Sequence, residues 1–205
     1  MPKFPASDRI ERMPGSSTLI AAQVAADMRA SGVDVIDLSV GEPDFDTPDF
    51  IKQYAWEGLE RGLTKYTSTA GTAEFRRSIA DFYHARFGAE IDPSEIAADC
   101  GGKQALFNAA ATLVNPCDDV LIPKPYWVTF PAIAGFCGGN SVFIETEDTD
   151  FVLTAKQVEA AITDKTRLLI INSPNNPTGR VVSPDEMRKI VEVCASRGVY
   201  VLTDE

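Results

Sequence analysis

The sequence is poor in the residues that bind metals. It has a single histidine, His84, and four cysteines, Cys100, Cys117, Cys137 and Cys194, none of which forms a Cys-x-x-Cys pair. Structural zinc sites need four such ligands at short, regular spacings. The sequence therefore predicts no metal site, and its cysteines are typical of free thiols in a reducing cytoplasm.

Basic runs and long apolar runs are also missing. Lys and Arg number 19 against 30 Asp and Glu, which gives a net charge of −11 and argues against a nucleic-acid partner. No apolar stretch is long enough to span a bilayer, and residues 1–16 mix both charges without the apolar core of a signal peptide. We therefore expect no membrane association and a cytoplasmic location.

What the 205 residues do contain is a regular alternation of apolar strands and amphipathic helices. Such alternation indicates βαβ units with parallel pairing, so the predicted fold class is α/β. The periodicity predicts strands at 33–40, 96–100, 119–122, 141–145, 168–172 and 199–203. It predicts helices at 18–31, 47–61 (Thr47 as N-cap), 72–87, 103–114, 126–136 (bent or broken at Pro131), 155–162 and 184–197.

The most informative stretch runs from Arg167 to Gly179. Leu168–Ile171 is typical of a strand buried on both faces, and Asn-Ser-Pro-Asn-Asn-Pro-Thr-Gly follows it as a stiff, polar loop. Ser183-Pro184 then has the form of a helix start. Amide side chains just past a buried parallel strand indicate a ligand site, although asparagine also serves turn geometry.

Three other loops follow predicted strands. Gly101-Gly102-Lys103-Gln104 opens a helix, whose free N–H groups favour an anion such as phosphate, although tight helix–strand packing would also explain the glycines. Trp127 begins a helix, where it would by default be core. Asp204 ends a buried strand and needs a partner there, or else caps a following helix.

Taken together, these motifs resemble the class I/II aminotransferases that depend on pyridoxal phosphate (PLP), and aspartate aminotransferases of the bacterial kind in particular. The resemblance runs from Gly41-Glu42-Pro43 to Asp204-Glu205. It implies fold type I, whose large domain is a three-layer α/β/α structure with a mostly parallel sheet, here incomplete. It further implies that residues 1–45 belong to a small domain and that residues 46–205 begin the PLP-binding domain.

The resemblance also implies roles for particular residues. It places the cofactor phosphate on Gly102, Lys103 and Gln104, and a stacking contact to the pyridine ring on Trp127. It implies that Asn176 hydrogen-bonds the ring hydroxyl oxygen and that Asp204 pairs with the ring nitrogen. It also implies that Tyr66 contacts the phosphate bound in the neighbouring subunit. Substrate contacts are implied for Gly41, Trp127 and Asn176, and contacts to a distal carboxylate for Thr18 and Lys103.

The implied activity is transamination between an amino acid and a 2-oxo acid, of the aspartate and 2-oxoglutarate type, by a homodimer. The resemblance places the Schiff-base lysine beyond Glu205, so we expect residues 1–205 to be an N-terminal part that is inactive and poorly soluble alone. A PLP-dependent lyase or decarboxylase, or a non-catalytic truncated homologue, remains an alternative because fold does not fix the reaction.

Overall fold

A computed structural model describes residues 5–11, 13, 15, 17–38, 41 and 43–205, without the side chains of Ser17 and Thr18. The chain divides into two compact units, one formed by 100–205 with the described residues of 1–14, the other by 15–99. Its helices are α1 (Asp8–Glu11), α2 (Ser17–Ala30), α3 (Asp49–Glu60), α4 (Ala73–Phe87), α5 (Gly102–Leu113), α6 (Thr129–Phe136), α7 (Ala155–Ala161) and α8 (Pro184–Ser196).

The first unit is built on a parallel sheet. Its strands are β1 (Asp119–Pro123), β2 (Asn140–Ile144), β3 (Thr166–Asn172) and β4 (Tyr200–Asp204), in the spatial order β2-β1-β3-β4. All three pairings are parallel, and the last residues of β3 and β4, Asn172 and Asp204, are opposite each other. The predicted α/β class with a parallel sheet is confirmed.

Side chains alternate between two apolar layers along the strands. Val120, Ile122, Leu168 and Ile170 pack with residues of α5 and α6 on one face. Leu121, Leu169 and Ile171 pack with residues of α7 and α8 on the other. Leu168–Ile171 is buried throughout, as its apolar run predicts. The helices therefore cover both faces of the sheet, which gives the three layers expected.

Local capping signals are confirmed around this sheet. Thr154 and Gln157 form a capping box at the start of α7. The Ser183 hydroxyl accepts the Glu186 N–H at 3.3 Å, and Pro184 is the first residue of α8. These side chains satisfy N–H groups that a helix start leaves without intrahelical partners.

Two predicted strands are not found. Residues 33–38 and 96–100 form no ladder with any strand of the described chain, while residues 39 and 40 lie outside the described residues. An extended segment becomes a strand only when a neighbour pairs with its backbone, and periodicity cannot supply that neighbour.

Two predicted helix starts are also wrong. The helix predicted at 126–136 begins at Thr129, so Pro131 lies in its first turn, where a missing N–H interrupts no hydrogen bond. At α3 the N-cap is Pro48 rather than Thr47, without a side-chain cap. In both cases the sequence prediction put the proline one or more residues further into the helix than it is in the structure.

The second unit holds α2, α3 and α4. Thr72 caps α4 through a 3.2 Å bond from the Phe75 N–H, and Gly88 ends it with φ 67°. At Gly71, with φ 94°, a Cβ would come within 2.9 Å of the Ala98 Cβ, so glycine is required there. The domain boundary predicted at residue 45 stays a prediction.

Candidate cofactor site

Polar residues gather where β1, β3 and β4 end. Because these strands are parallel, their carboxyl ends share one edge of the sheet, the usual ligand position in open α/β sheets. Lys103, near the start of α5, reaches Trp127, which follows β1, so the N-terminus of α5 lies at the same edge. The start of α5 and the end of β4 thus lie at one edge of the sheet, although Lys103 and Asp204 are 101 positions apart in sequence.

The N-terminus of α5 is open to an anion. Its N-cap, Gly101, has φ 90° and offers no side chain to the helix. Within the described part of the chain, nothing accepts the N–H of Gly102 or Lys103. Gln104 closes the turn, because its Oε1 accepts the Cys100 N–H at 2.8 Å. Two free N–H groups at the positive end of a 12-residue helix suit a phosphate.

Trp127 presents an aromatic face beside this turn. The Lys103 Nζ lies 4.9 Å from the centre of its ring, a cation–π distance. Phe130 meets the same indole edge-on at 5.6 Å and 90°, which supports its orientation. The indole is half-buried, so its placement is partly fixed by packing while part of the ring stays accessible.

Asn172 links two of the predicted site residues. Its Nδ2 donates to the main-chain carbonyl of Asp204 at 2.9 Å and lies 3.4 Å from the Oδ2 of the same residue. Its Oδ1 accepts the N–H of Asn176. Sequence reasoning gave Asn172 no role, although an asparagine ending a buried strand was a visible signal.

Asn175 holds the loop to the rest of the unit. Its Nδ2 donates to the Pro125 carbonyl at 3.2 Å, and its Oδ1 accepts from the N–H and hydroxyl of Thr178. Its backbone N–H donates to the Arg180 carbonyl, and its own carbonyl accepts the Gly179 N–H. Of the two neighbouring asparagines, Asn175 therefore serves the loop, whereas the Asn176 side chain is exposed and bonds no described residue.

Asp204 is a half-buried carboxylate, and burial raises the pKa of its carboxyl above the usual value. No cation pairs with it within the described residues. A desolvated carboxylate of this kind gains from a cationic hydrogen-bond donor on a ligand.

The remaining predicted residues lie in the other unit or outside the description. Tyr66 is fully exposed, and a Cβ on Gly41 would meet open space. Thr18 is the second residue of α2, and its side chain lies outside the described residues. Their roles stay predictions.

The described residues show neither a metal site nor a helix that could span a membrane. They contain no cluster of three or more His, Cys, Asp or Glu side chains that would hold a metal ion. None of their helices combines the length and the apolar character needed to cross a membrane.

Residues 33–205 match the family model for class I and II aminotransferases, so the chain belongs to this family. It is 40% identical, over 97% of its length, to the aspartate/prephenate aminotransferase of Cereibacter sphaeroides, and 38% identical to that of Thermus thermophilus. It covers 50% and 52% of these proteins, so it spans about half the length of the curated relatives it matches.

Solved structures give the same result for the fold. The aspartate aminotransferase of Thermus thermophilus, determined with maleate, superposes with a TM-score of 0.94 and 37% identity. The match covers 99% of this chain and 53% of that one.

The family implies pyridoxal phosphate as the cofactor, and the residues present fit it. The open N-terminus of α5 suits the phosphate, Trp127 offers a face to the ring, and Asp204 is a carboxylate without a cationic partner in the described chain.

Proposed function

We propose that the protein carrying this sequence transfers an amino group between an amino acid and a 2-oxo acid, with PLP as the cofactor. The observation that carries the proposal is the meeting of three groups at one sheet edge: the free N–H groups of α5, the face of Trp127 and the carboxylate of Asp204. Each matches one part of PLP, namely phosphate, ring face and ring nitrogen.

When bound, PLP supplies an electron sink that stabilises negative charge on the substrate's α-carbon. Asp204 would hold a proton on the ring nitrogen, because an adjacent anion favours the cationic form. Asn176 would donate its free side-chain amide to the ring hydroxyl oxygen. Gly102 and Lys103 would donate N–H groups to the phosphate, with Gln104 closing the turn behind them.

Lys103 supports a dicarboxylic substrate. Its exposed Nζ lies over the Trp127 ring, and no carboxylate of the described chain pairs with it. A cation beside the ring face would attract the distal carboxylate of an amino acid such as aspartate. The names of the aspartate/prephenate aminotransferases and the maleate in the related structure agree with this choice.

Further parts of the proposal come from the family rather than from contacts. Gly41 would contact the substrate carboxylate through its backbone, and Thr18 would assist Lys103. Tyr66 would reach the phosphate of a partner subunit, which requires a homodimer. The cytoplasmic location predicted from the free cysteines belongs to the same proposal.

We propose that the lysine that would form the imine with PLP is not among residues 1–205. None of the lysines within residues 1–205 stands in the Ser-x-x-Lys context that the family uses. Because transamination needs this amine as imine partner and as base, residues 1–205 alone should not transaminate.

The test is to express the protein as its gene encodes it, supply PLP, aspartate and 2-oxoglutarate, and measure oxaloacetate formation. Asp204→Ala should lower the rate at least about a hundredfold, as loss of a charge-stabilising group does, while PLP stays bound through its phosphate. Asp164→Ala, in an exposed turn before β3, is the matched control and should keep the wild-type rate. Near-normal turnover in Asp204→Ala would contradict the assignment.

A further inference from the structure

We propose that Asn172 is a positioning residue that fixes Asp204 and Asn176 relative to each other, so that the two act on the cofactor ring as one unit. The proposed role towards PLP rests on the function proposed above. The link itself rests on the geometry of the described residues alone.

Both the oxygen and the nitrogen of the Asn172 side-chain amide form hydrogen bonds. The Asn176 N–H can only donate, so the atom facing it is the Asn172 oxygen. The Asp204 carbonyl can only accept, so the atom facing it is the amide nitrogen, at 2.9 Å. Each partner independently requires the same orientation of the amide.

The backbone of the loop shows why this bond to Asn176 matters. Pro174 and Pro177 have no N–H. Among the others, Ser173 donates to the Asp204 carbonyl and Asn175 to the Arg180 carbonyl. The bond from Asn176 to Asn172 completes this set, and without it the N–H at the predicted ring contact has no partner in the described chain.

Asn172 also contacts the side-chain carboxylate of Asp204. Its Nδ2 lies 3.4 Å from the Asp204 Oδ2, and no other described side chain bonds that carboxylate. Asn172 and Asp204 are the paired last residues of β3 and β4. Asn172→Asp would keep the acceptor for Asn176 but lose the donor for Asp204, and Asn172→Ala would lose both.

The first experiment needs no cofactor. In the protein as its gene encodes it, hydrogen exchange at the Asn176 amide is compared between wild type and variants by NMR. Asn172→Ala should exchange at least about tenfold faster, because the acceptor is gone, whereas Asn172→Asp should stay within about twofold. Asn140→Ala, at the start of β2, is the control and should not change it. Unchanged exchange in Asn172→Ala overturns the link.

The second experiment measures affinity for pyridoxamine phosphate. This probe carries the ring, ring hydroxyl and phosphate of PLP but cannot form an imine with a lysine. Asn172→Ala should raise its Kd about tenfold in the wild-type background. In the Asn176→Ala, Asp204→Ala background the same substitution should change the Kd less than about twofold, since the residues it positions are gone.

An equal loss of affinity in both backgrounds would mean that Asn172 only supports the fold, and would overturn the positioning role. Should Asn172→Ala fail to fold, Asn172→Asp replaces it in the comparison of the two backgrounds. A wild-type protein without affinity for pyridoxamine phosphate would contradict the proposed function, and the exchange result would then overturn or uphold the Asn172 link by itself.

Discussion

Replacing Trp127 by alanine tests the ring-stacking surface, and the structure gives the scale of its effect. The cation–π contact with Lys103 at 4.9 Å contributes about 0.5–1 kcal/mol at an exposed position. The edge-on contact with Phe130 at 5.6 Å contributes about 0.5–1.5 kcal/mol. Without cofactor, the loss of these two contacts in Trp127→Ala should lower the free energy of unfolding by about 1–2.5 kcal/mol, and the lost burial of the half-buried indole adds to this.

The effect on cofactor binding is separate. Offset stacking contributes about 1 kcal/mol beyond burial, so its loss should raise the Kd for pyridoxamine phosphate about fivefold and shift the absorbance of bound PLP. Trp127→Phe keeps an aromatic face and should stay within about twofold of wild type.

The chain offers a matched control, because its other tryptophan, Trp56, is exposed on α3. In Trp56→Phe the remaining indole, Trp127, should lose fluorescence when the cofactor binds. In Trp127→Phe the remaining Trp56 is the reference. Affinities are measured by equilibrium dialysis, and stability by urea denaturation. Unchanged affinity and an unchanged PLP spectrum in Trp127→Ala would refute stacking and leave Trp127 as a packing residue only.

Three further substitutions test the carboxylate and the loop. Because burial raises the folded-state pKa of Asp204 above its unfolded value, its contribution to stability is present at low pH and is lost as pH rises through that pKa. Asp204→Asn should therefore denature at higher urea than wild type at pH 7, and at the same urea at about pH 3; an equal difference at both pH values would contradict this. Asn175→Ala removes the bonds to Pro125 and Thr178 and should lower the free energy of unfolding by about 1–3 kcal/mol, whereas Asn176→Ala should leave it unchanged. Equal denaturation midpoints for these two variants would be inconsistent with the distinct roles of the two asparagines.

Local signals in the sequence predicted much of the first unit. The apolar run of β3 requires burial on both faces, and the Ser183-Pro184 start of α8 depends only on neighbouring residues. Such features are decided within a few positions, so a single sequence carries them.

The sequence alone did not predict features that depend on residues far apart in the chain. The segment 96–100 has the composition of a strand, but pairing decides whether it becomes one. The link from Asn172 to Asp204 spans 32 positions and arises only because β3 and β4 are neighbours in a fixed register. Among the asparagines of the loop, only the contacts distinguish Asn175, which holds the loop, from the exposed Asn176.

The alternation of side chains along β4 has a consequence for how this protein can vary. Leu202 packs with the layer that contains α5, so Asp204, two residues later, faces the same side. Inserting or deleting one residue within β4 would turn the carboxylate towards α7 and α8, while a two-residue change would keep its side. Natural length variation should therefore be confined to the connecting loops, and engineered insertions in this strand should preserve parity.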